Sequence, residues 1–176
     1  MKRKDNYPTL PHIIFGLLEE GGFFVTLPFK GISLNQYRRM HHGQIKKEKS
    51  LYKSILDVIL ISSIKKNFIG EFNEEGVKLN SSLFKNEIEI EWILNFKEKN
   101  TRDVSNYTQK IVLDAIVKTN IIEDDNSKYV LSDKTVFGTK QIDSITCILM
   151  GEIENHKFLK YLPKIKYEYL KKSLED

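Results

Sequence analysis

Cysteine is nearly absent: Cys147 is the single one in 176 residues. That excludes an intramolecular disulfide framework and any zinc cluster built on cysteines, and it fits a reducing, cytoplasmic setting. No run of the chain approaches the ~18 consecutive apolar residues that a membrane-spanning helix needs. The opening residues Met1 to Asp5 lead into Asn6, Tyr7 and Pro8 instead of an apolar stretch, so they do not read as a secretory leader. Internal repeats and low-complexity tracts are missing. Four histidines are present, and His12 and His156 lack metal-ligand spacing. What is there is 40% apolar, 30% charged and 11% aromatic residues. That is enough apolar material for one core, in a chain of single-domain length.

The net charge of +4 is unevenly spread. Arg38, Arg39, Lys46, Lys47, Lys49 and Lys53 stand against Glu48, a local balance of +5. Lys157, Lys160, Lys164, Lys166, Lys171 and Lys172 stand against Glu168, again +5. Between them, from Asp103 to Asp125, five acids outnumber two lysines. Two basic zones therefore flank an acidic centre, a polarity that suits a polyanionic partner.

Hydrophobic periodicity predicts the elements. The apolar patch Ile13-Ile14-Phe15 with Leu17-Leu18, ending at Gly21-Gly22, reads as a short helix. Phe23 to Leu27, closed by Pro28, reads as a strand. A polar loop over 31–44 carries Asn35, Tyr37, Arg38, Arg39, His41 and His42. A helix over 46–66 follows, with Leu51, Ile55, Val58, Ile59 and Ser62 as its stripe. Residues 67–86 read as an irregular insertion. From Ile88 to Phe96 apolar residues alternate with a mostly polar face, the pattern of a half-buried strand that places Trp92 in the core. The spacing predicts a second helix over 103–118, with Tyr107, Ile111, Val112, Ala115 and Ile116 on one face and Asn106, Lys110 and Asp114 on the other; Asn120 ends it. Strands are expected at 129–131 and 144–153, where Cys147 is a small buried hydrophobe. A basic helix over 157–174 is broken or started near Pro163. The sum is an α+β fold: a single domain over 1–176 with a small mixed sheet packed by helices.

The segment Asp103 to Lys110, followed after one helix by Glu123-Asp124-Asp125, is the place for chemistry. A strand–helix–strand return brings Asp125 back toward the strand that delivers Asp103, and converging carboxylates make the hard-oxygen site that Mg²⁺ uses. Lys110, near the start of the helix, could stabilise charge developing on a phosphate. Helix-start acids are commonly caps, and acidic turns are usually solvated loops; on spacing alone these readings are the commoner ones.

The residues Arg102-Asp103-Val104-Ser105-Asn106, Lys110, Asp114-Ala115-Ile116 and Ile121-Ile122-Glu123-Asp124-Asp125 resemble the signature of RusA-type Holliday junction resolvases. That signature is D-x-D-N after a strand, a helix carrying a Lys and a D-A-L turn, then an apolar pair and D-D. Val25-Thr26-Leu27-Pro28, Asn35, Tyr37 and Arg38 resemble the family's first strand and its Asn-bearing loop, and 144–153 its closing strand. The resemblance covers about 23–153 and leaves 1–21 and 157–176 as extensions. It implies a Mg²⁺-dependent endonuclease, with Mn²⁺ as substitute. Such an enzyme acts as a homodimer, cuts four-way DNA junctions by paired symmetric nicks in recombination and repair, and is often phage- or prophage-encoded. Carried over, Asp103 and Asp125 are the catalytic acids, Lys110 the catalytic lysine, and Asp103, Asp124 and Asp125 the metal ligands, with Ser105 and Asn106 in support. Asn35, Arg38, Arg39, Lys46 and Lys47 are the candidate DNA contacts. The chain departs from the signature at Ser105, where the second Asp stands, and by one extra residue between Asn106 and Lys110. A second functional class follows from that departure: a junction-binding protein without catalysis.

Overall fold

The structure, a computed structural model, describes residues 14–64, 70–73, 76–98, 102–154, 159–160 and 162–175. In chain order the elements are β1 (Ile14–Leu18), β2 (Gly22–Leu27), β3 (Ile32–Ser33), α1 (Leu34–Arg39), α2 (His42–Ile64), β4 (Gly70–Asn73), β5 (Gly76–Leu79), β6 (Ile88–Asn95), β7 (Tyr107–Thr108), α3 (Lys110–Lys118), β8 (Val130–Phe137), β9 (Ser144–Met150), β10 (Lys164–Ile165) and α4 (Tyr167–Glu175). Six strands form one sheet in the order β10-β1-β2-β9-β6-β8. Its β1–β10 and β6–β8 pairs are parallel and the others antiparallel. The fold is thus α+β with a mixed sheet, as the periodicity predicts.

The larger core lies between one sheet face and the helices α2 and α3. Leu27, Leu56, Trp92, Leu94, Ala115, Ile116 and Leu149 are fully buried in it, and Cys147 nearly so. α4 covers the opposite face, where Leu170 and Leu174 pack with Leu18, Phe24, Ile93 and Ile148. β6 is therefore buried on both faces, which corrects the half-buried reading of that strand. Its Glu91 is 4% exposed. It accepts hydrogen bonds from the Tyr167 hydroxyl and, at 2.9 Å, from Lys171, with Lys134 3.5 Å away.

Several other expectations shift, each for a tertiary reason. The described part of the segment read as a first helix is strand β1, because β2 and β10 both offer it backbone partners. Gly16 is needed there: a Cβ would meet the Pro163 carbonyl oxygen at 2.5 Å. Residues 1–13 of that segment lie outside the described residues. The polar loop over 31–44 contains α1, whose start is capped by the Ser33 hydroxyl accepting from Gln36 N at 3.1 Å. α2 begins at His42, and its buried face carries Tyr52, Lys53 and Leu56, one position round from the expected stripe, with Val58 exposed. The insertion over 67–86 holds the β4–β5 hairpin and a strap hydrogen-bonded to the end of α3 through Leu79 N to Thr119 O and Leu83 N to Ile121 O, both 3.0 Å. The second helix begins at Lys110, since the Asp103 carboxylate caps a 3-10 turn over Val104–Asn106 and Tyr107–Thr108 pair with β3. Asn120, at a φ of 60°, ends it as expected. The strand expected at 129–131 runs on to Phe137 along β6. Among the described residues the C-terminal helix runs over Tyr167–Glu175, with β10 after Pro163; residues 157, 158 and 161 of the expected helix lie outside them.

Glu91 ties α4 to the sheet and titrates with a defined sign. Burial pushes its carboxyl up, but the bonds from Tyr167 and Lys171 and the charges of Lys171 and Lys134 outweigh this and hold it below the ordinary 4.5. The stability it contributes is present above that value and lost as pH falls below it. Glu91→Gln should lower stability at pH 7 by about 1–3 kcal/mol and flatten the acid limb of a Tm-against-pH curve. An unchanged acid limb would refute the role.

Candidate functional site

The two acidic segments attach to opposite ends of a parallel strand pair. Asp103 follows the C-terminal end of β6, while Asp125 precedes the start of β8, which lies beside the start of β6 through Ile88 and Val130. Connectivity alone would separate those points by about 23 Å, the length of β6 at roughly 3.3 Å per residue. Arg102 stays at the Phe96 end, and the segment beyond it turns back along β8. Tyr107 packs on Phe96 (centroids 5.0 Å apart) and on Phe137 (5.7 Å), Arg102 lies 4.2 Å over the Phe96 ring, and the side chains of Gln109 and Thr135 meet at 3.4 Å. α3 therefore starts over β8, within reach of the acidic turn.

Lys110 Nζ donates to Asp125 Oδ2 at 2.9 Å and lies 3.3 Å from Asp114 Oδ1, its i+4 neighbour. Asp114 Oδ2 lies 2.5 Å from Lys49 Nζ on α2. Lys49, Asp114, Lys110 and Asp125 thus form one alternating chain of charge across α2, α3 and the turn before β8. The bond to Lys110 is the main reason the Asp125 carboxyl sits below its ordinary range; burial opposes it. The same bond to Asp125 is the main reason the Lys110 ammonium sits above its ordinary value.

The acids of the turn divide their roles. Asp124 is occupied by its neighbours: Oδ1 accepts from Asp125 N and Oδ2 from Asn126 Nδ2, both at 2.7 Å. Glu123 accepts from the Tyr129 hydroxyl at 2.6 Å. Asp125 is the acid that faces Lys110. On the other segment Asp103 is exposed, and its Oδ1 accepts from Ser105 N at 3.0 Å and Ser105 Oγ at 2.8 Å. The serine hydroxyl foremost, and its amide, lower the Asp103 carboxyl. Asn106 is exposed, and its amide closes the turn on Asp103 O.

The basic residues fall into two groups. Pairing of Ser33 with Tyr107 sets the start of α1 beside Asn106. Asn35, Arg38 and Arg39 on α1 and Lys46 and Lys47 on α2 are exposed, as are His41 and His42. Lys49 and Lys53 of the same basic zone are turned inward, Lys49 to Asp114 and the buried Lys53 to Asp57. They serve helix packing, so the outward charge of this zone is smaller than the sequence count. Sequence reading counted Lys49 in the basic zone and missed its pairing with Asp114; the Lys110–Asp114 spacing was visible, but a lysine from a distant helix carries no local signal.

Among the described residues no group of three or more His, Cys, Asp or Glu side chains is placed to hold a metal ion, so Asp103, Asp124 and Asp125 do not form a three-carboxylate cage. Mg²⁺ needs less: one or two protein carboxylates, with water and phosphate completing its shell. Asp125 and Asp103 suit it in kind, since both are accessible hard-oxygen donors whose side-chain partners Lys110 and Ser105 meet one carboxylate oxygen each.

The molecule is thus a mixed-sheet α+β domain carrying a carboxylate–ammonium site at its surface, bordered by exposed cations. No protein-family profile matches the chain, and no curated protein is detectably similar to it. No helix among the described residues is long and apolar enough to cross a membrane.

Because Lys110 is the chief cause of the low Asp125 value, Lys110→Met should move the Asp125 titration to higher pH. ¹³C-carboxyl NMR across pH 2–6 reads this directly; an unmoved Asp125 resonance would separate the two residues in solution.

Proposed function

We propose that this protein is a divalent-metal-dependent endonuclease of the RusA type, acting on branched DNA. The observation that carries the reading is the 2.9 Å contact between Lys110 and Asp125. It joins the two halves of the motif on which the resemblance rests, although fifteen residues separate them in the chain. Asp125 and Asp103 would hold Mg²⁺, which when bound activates water and polarises the phosphodiester. Lys110 supplies an ammonium to the charge that builds on the phosphate oxygens. Asn106 orients a neighbouring ligand or water. Arg38, Arg39, Lys46 and Lys47 neutralise phosphates, so recognition is of backbone and shape. A four-way junction has approximate two-fold symmetry, and a homodimer presents two such sites to it.

A second reading has its own observation. Ser105 stands where the motif has a second Asp, and its hydroxyl donates to Asp103 at 2.8 Å, bringing no charge of its own. A junction-binding protein without catalysis would keep the basic helices and lose the metal.

Incubation with a labelled four-way junction and a linear duplex, with Mg²⁺, Mn²⁺ or EDTA, separates these. The nuclease reading expects paired, metal-dependent nicks that Asp125→Asn abolishes while junction binding changes little, and a Lys110→Met variant slower by about 100-fold. Retardation without metal-dependent nicks would select the binder, and no retardation at low salt would sink both. Replacing Arg38 and Arg39 by Ala should flatten the log–log salt dependence of binding by about 0.9 for each phosphate they neutralise. An unaltered slope would move the DNA path elsewhere.

A further inference from the structure

Asp114 has two carboxylate oxygens and two different lysines: Lys49 lies 2.5 Å from Oδ2, and Lys110 lies 3.3 Å from Oδ1. Lys110 in turn lies closer, at 2.9 Å, to Asp125. Its side chain is 53% exposed, against 18% for Asp114 and 29% for Lys49, so it is the member least confined by packing. Asp114 and Lys49 belong to α3 and α2, whose packing around Leu56, Ile111 and Ala115 holds their backbones together.

We propose that Lys110 is a two-position lysine: it occupies Asp125 when no divalent cation is there, and shifts onto Asp114 when one arrives. This rests on the reading of Asp125 as a metal ligand. Two lysines and two aspartates balance one another. A divalent cation brought to Asp125 would stand beside an ammonium at hydrogen-bond distance, and the doubly charged ion has the stronger hold on the carboxylate. Even with the ion on the other carboxylate oxygen, repulsion between two cations so close drives Lys110 off Oδ2. Asp114 lies already within reach, so a change of side-chain torsions suffices. Lys49 fixes Asp114 by its far oxygen and leaves Oδ1 turned to Lys110. Asp114 and Lys49 are positioning residues: they keep the displaced ammonium in the site, beside the position a phosphate would take, instead of releasing it to water. Lys110 thus also sets the strength of cation binding, since every ion entering must displace it.

Mn²⁺ binding to the full chain, read from loss of the free-ion EPR signal, tests this without any cleavage assay. Lys110→Met should tighten Mn²⁺ binding about two- to five-fold, the worth of an exposed ion pair. Asp114→Asn should weaken it by a similar factor by denying Lys110 its second seat. In the double variant that weakening should vanish, because Lys110 carries it. A simple loss of negative field would instead persist, since the effects of separate charges add. Unchanged affinity in Lys110→Met, or an Asp114→Asn effect equal with and without Lys110, overturns the proposal while leaving the nuclease reading intact. Mn²⁺ binding indifferent to Asp125→Asn overturns both.

Discussion

Burial of β6 on both faces is the constraint from which the rest of this structure follows. Trp92 and Leu94 face the large core, while Glu91 and Ile93 face α4. A strand flanked by β9 and β8 and covered above and below must have every backbone group paired and every side chain placed. The segment leaving it therefore cannot return through the sheet. It passes over Phe96 and Phe137, where Tyr107 anchors it, and delivers α3 onto the core face. The parallel partner β8 is reached only by a crossover, as parallel pairs require. That crossover contains every residue of the carboxylate–ammonium site except Lys49.

The same geometry explains the polarity of the site. The acids attached at opposite ends of this parallel pair have different partners: Asp103 turns to Ser105, while a lysine at the start of the crossover helix reaches the far turn. Lys110 pairs with its own helix at Asp114 and with the far turn at Asp125. The local backbone does the remaining work. Asp124 spends both oxygens on the turn, Ser105 and Asp103 close the opposite one, and Asp125 stays partly exposed, facing Lys110.

Much of this was legible in the residue order. The 88–96 alternation, the apolar stripe of α3 from Ile111 onward and the stop at Asn120 are local signals, governed by side-chain spacing and backbone propensity. Lys110 and the 123–125 acids stood out as candidate chemistry for the same reason. Illegible were features that depend on a partner distant in sequence. β1 looks helical until β2 and β10 offer it hydrogen bonds. Residues 103–109 look helical until Tyr107 finds Phe96 and β3. The outer face of β6 looks solvent-exposed until α4 arrives with Tyr167 and Lys171 for Glu91.

The amino-acid order by itself determined the mixed α+β character, the uneven spread of charge and the residue types of the carboxylate–ammonium site, because composition and periodicity act over a few residues at a time. Only tertiary structure decided which acid faces Lys110, that Lys49 and Lys53 are turned inward, and that Asp114 links two helices. Ion pairs form between surfaces that packing brings together, and the apolar side chains that set that packing come from positions far apart along the chain.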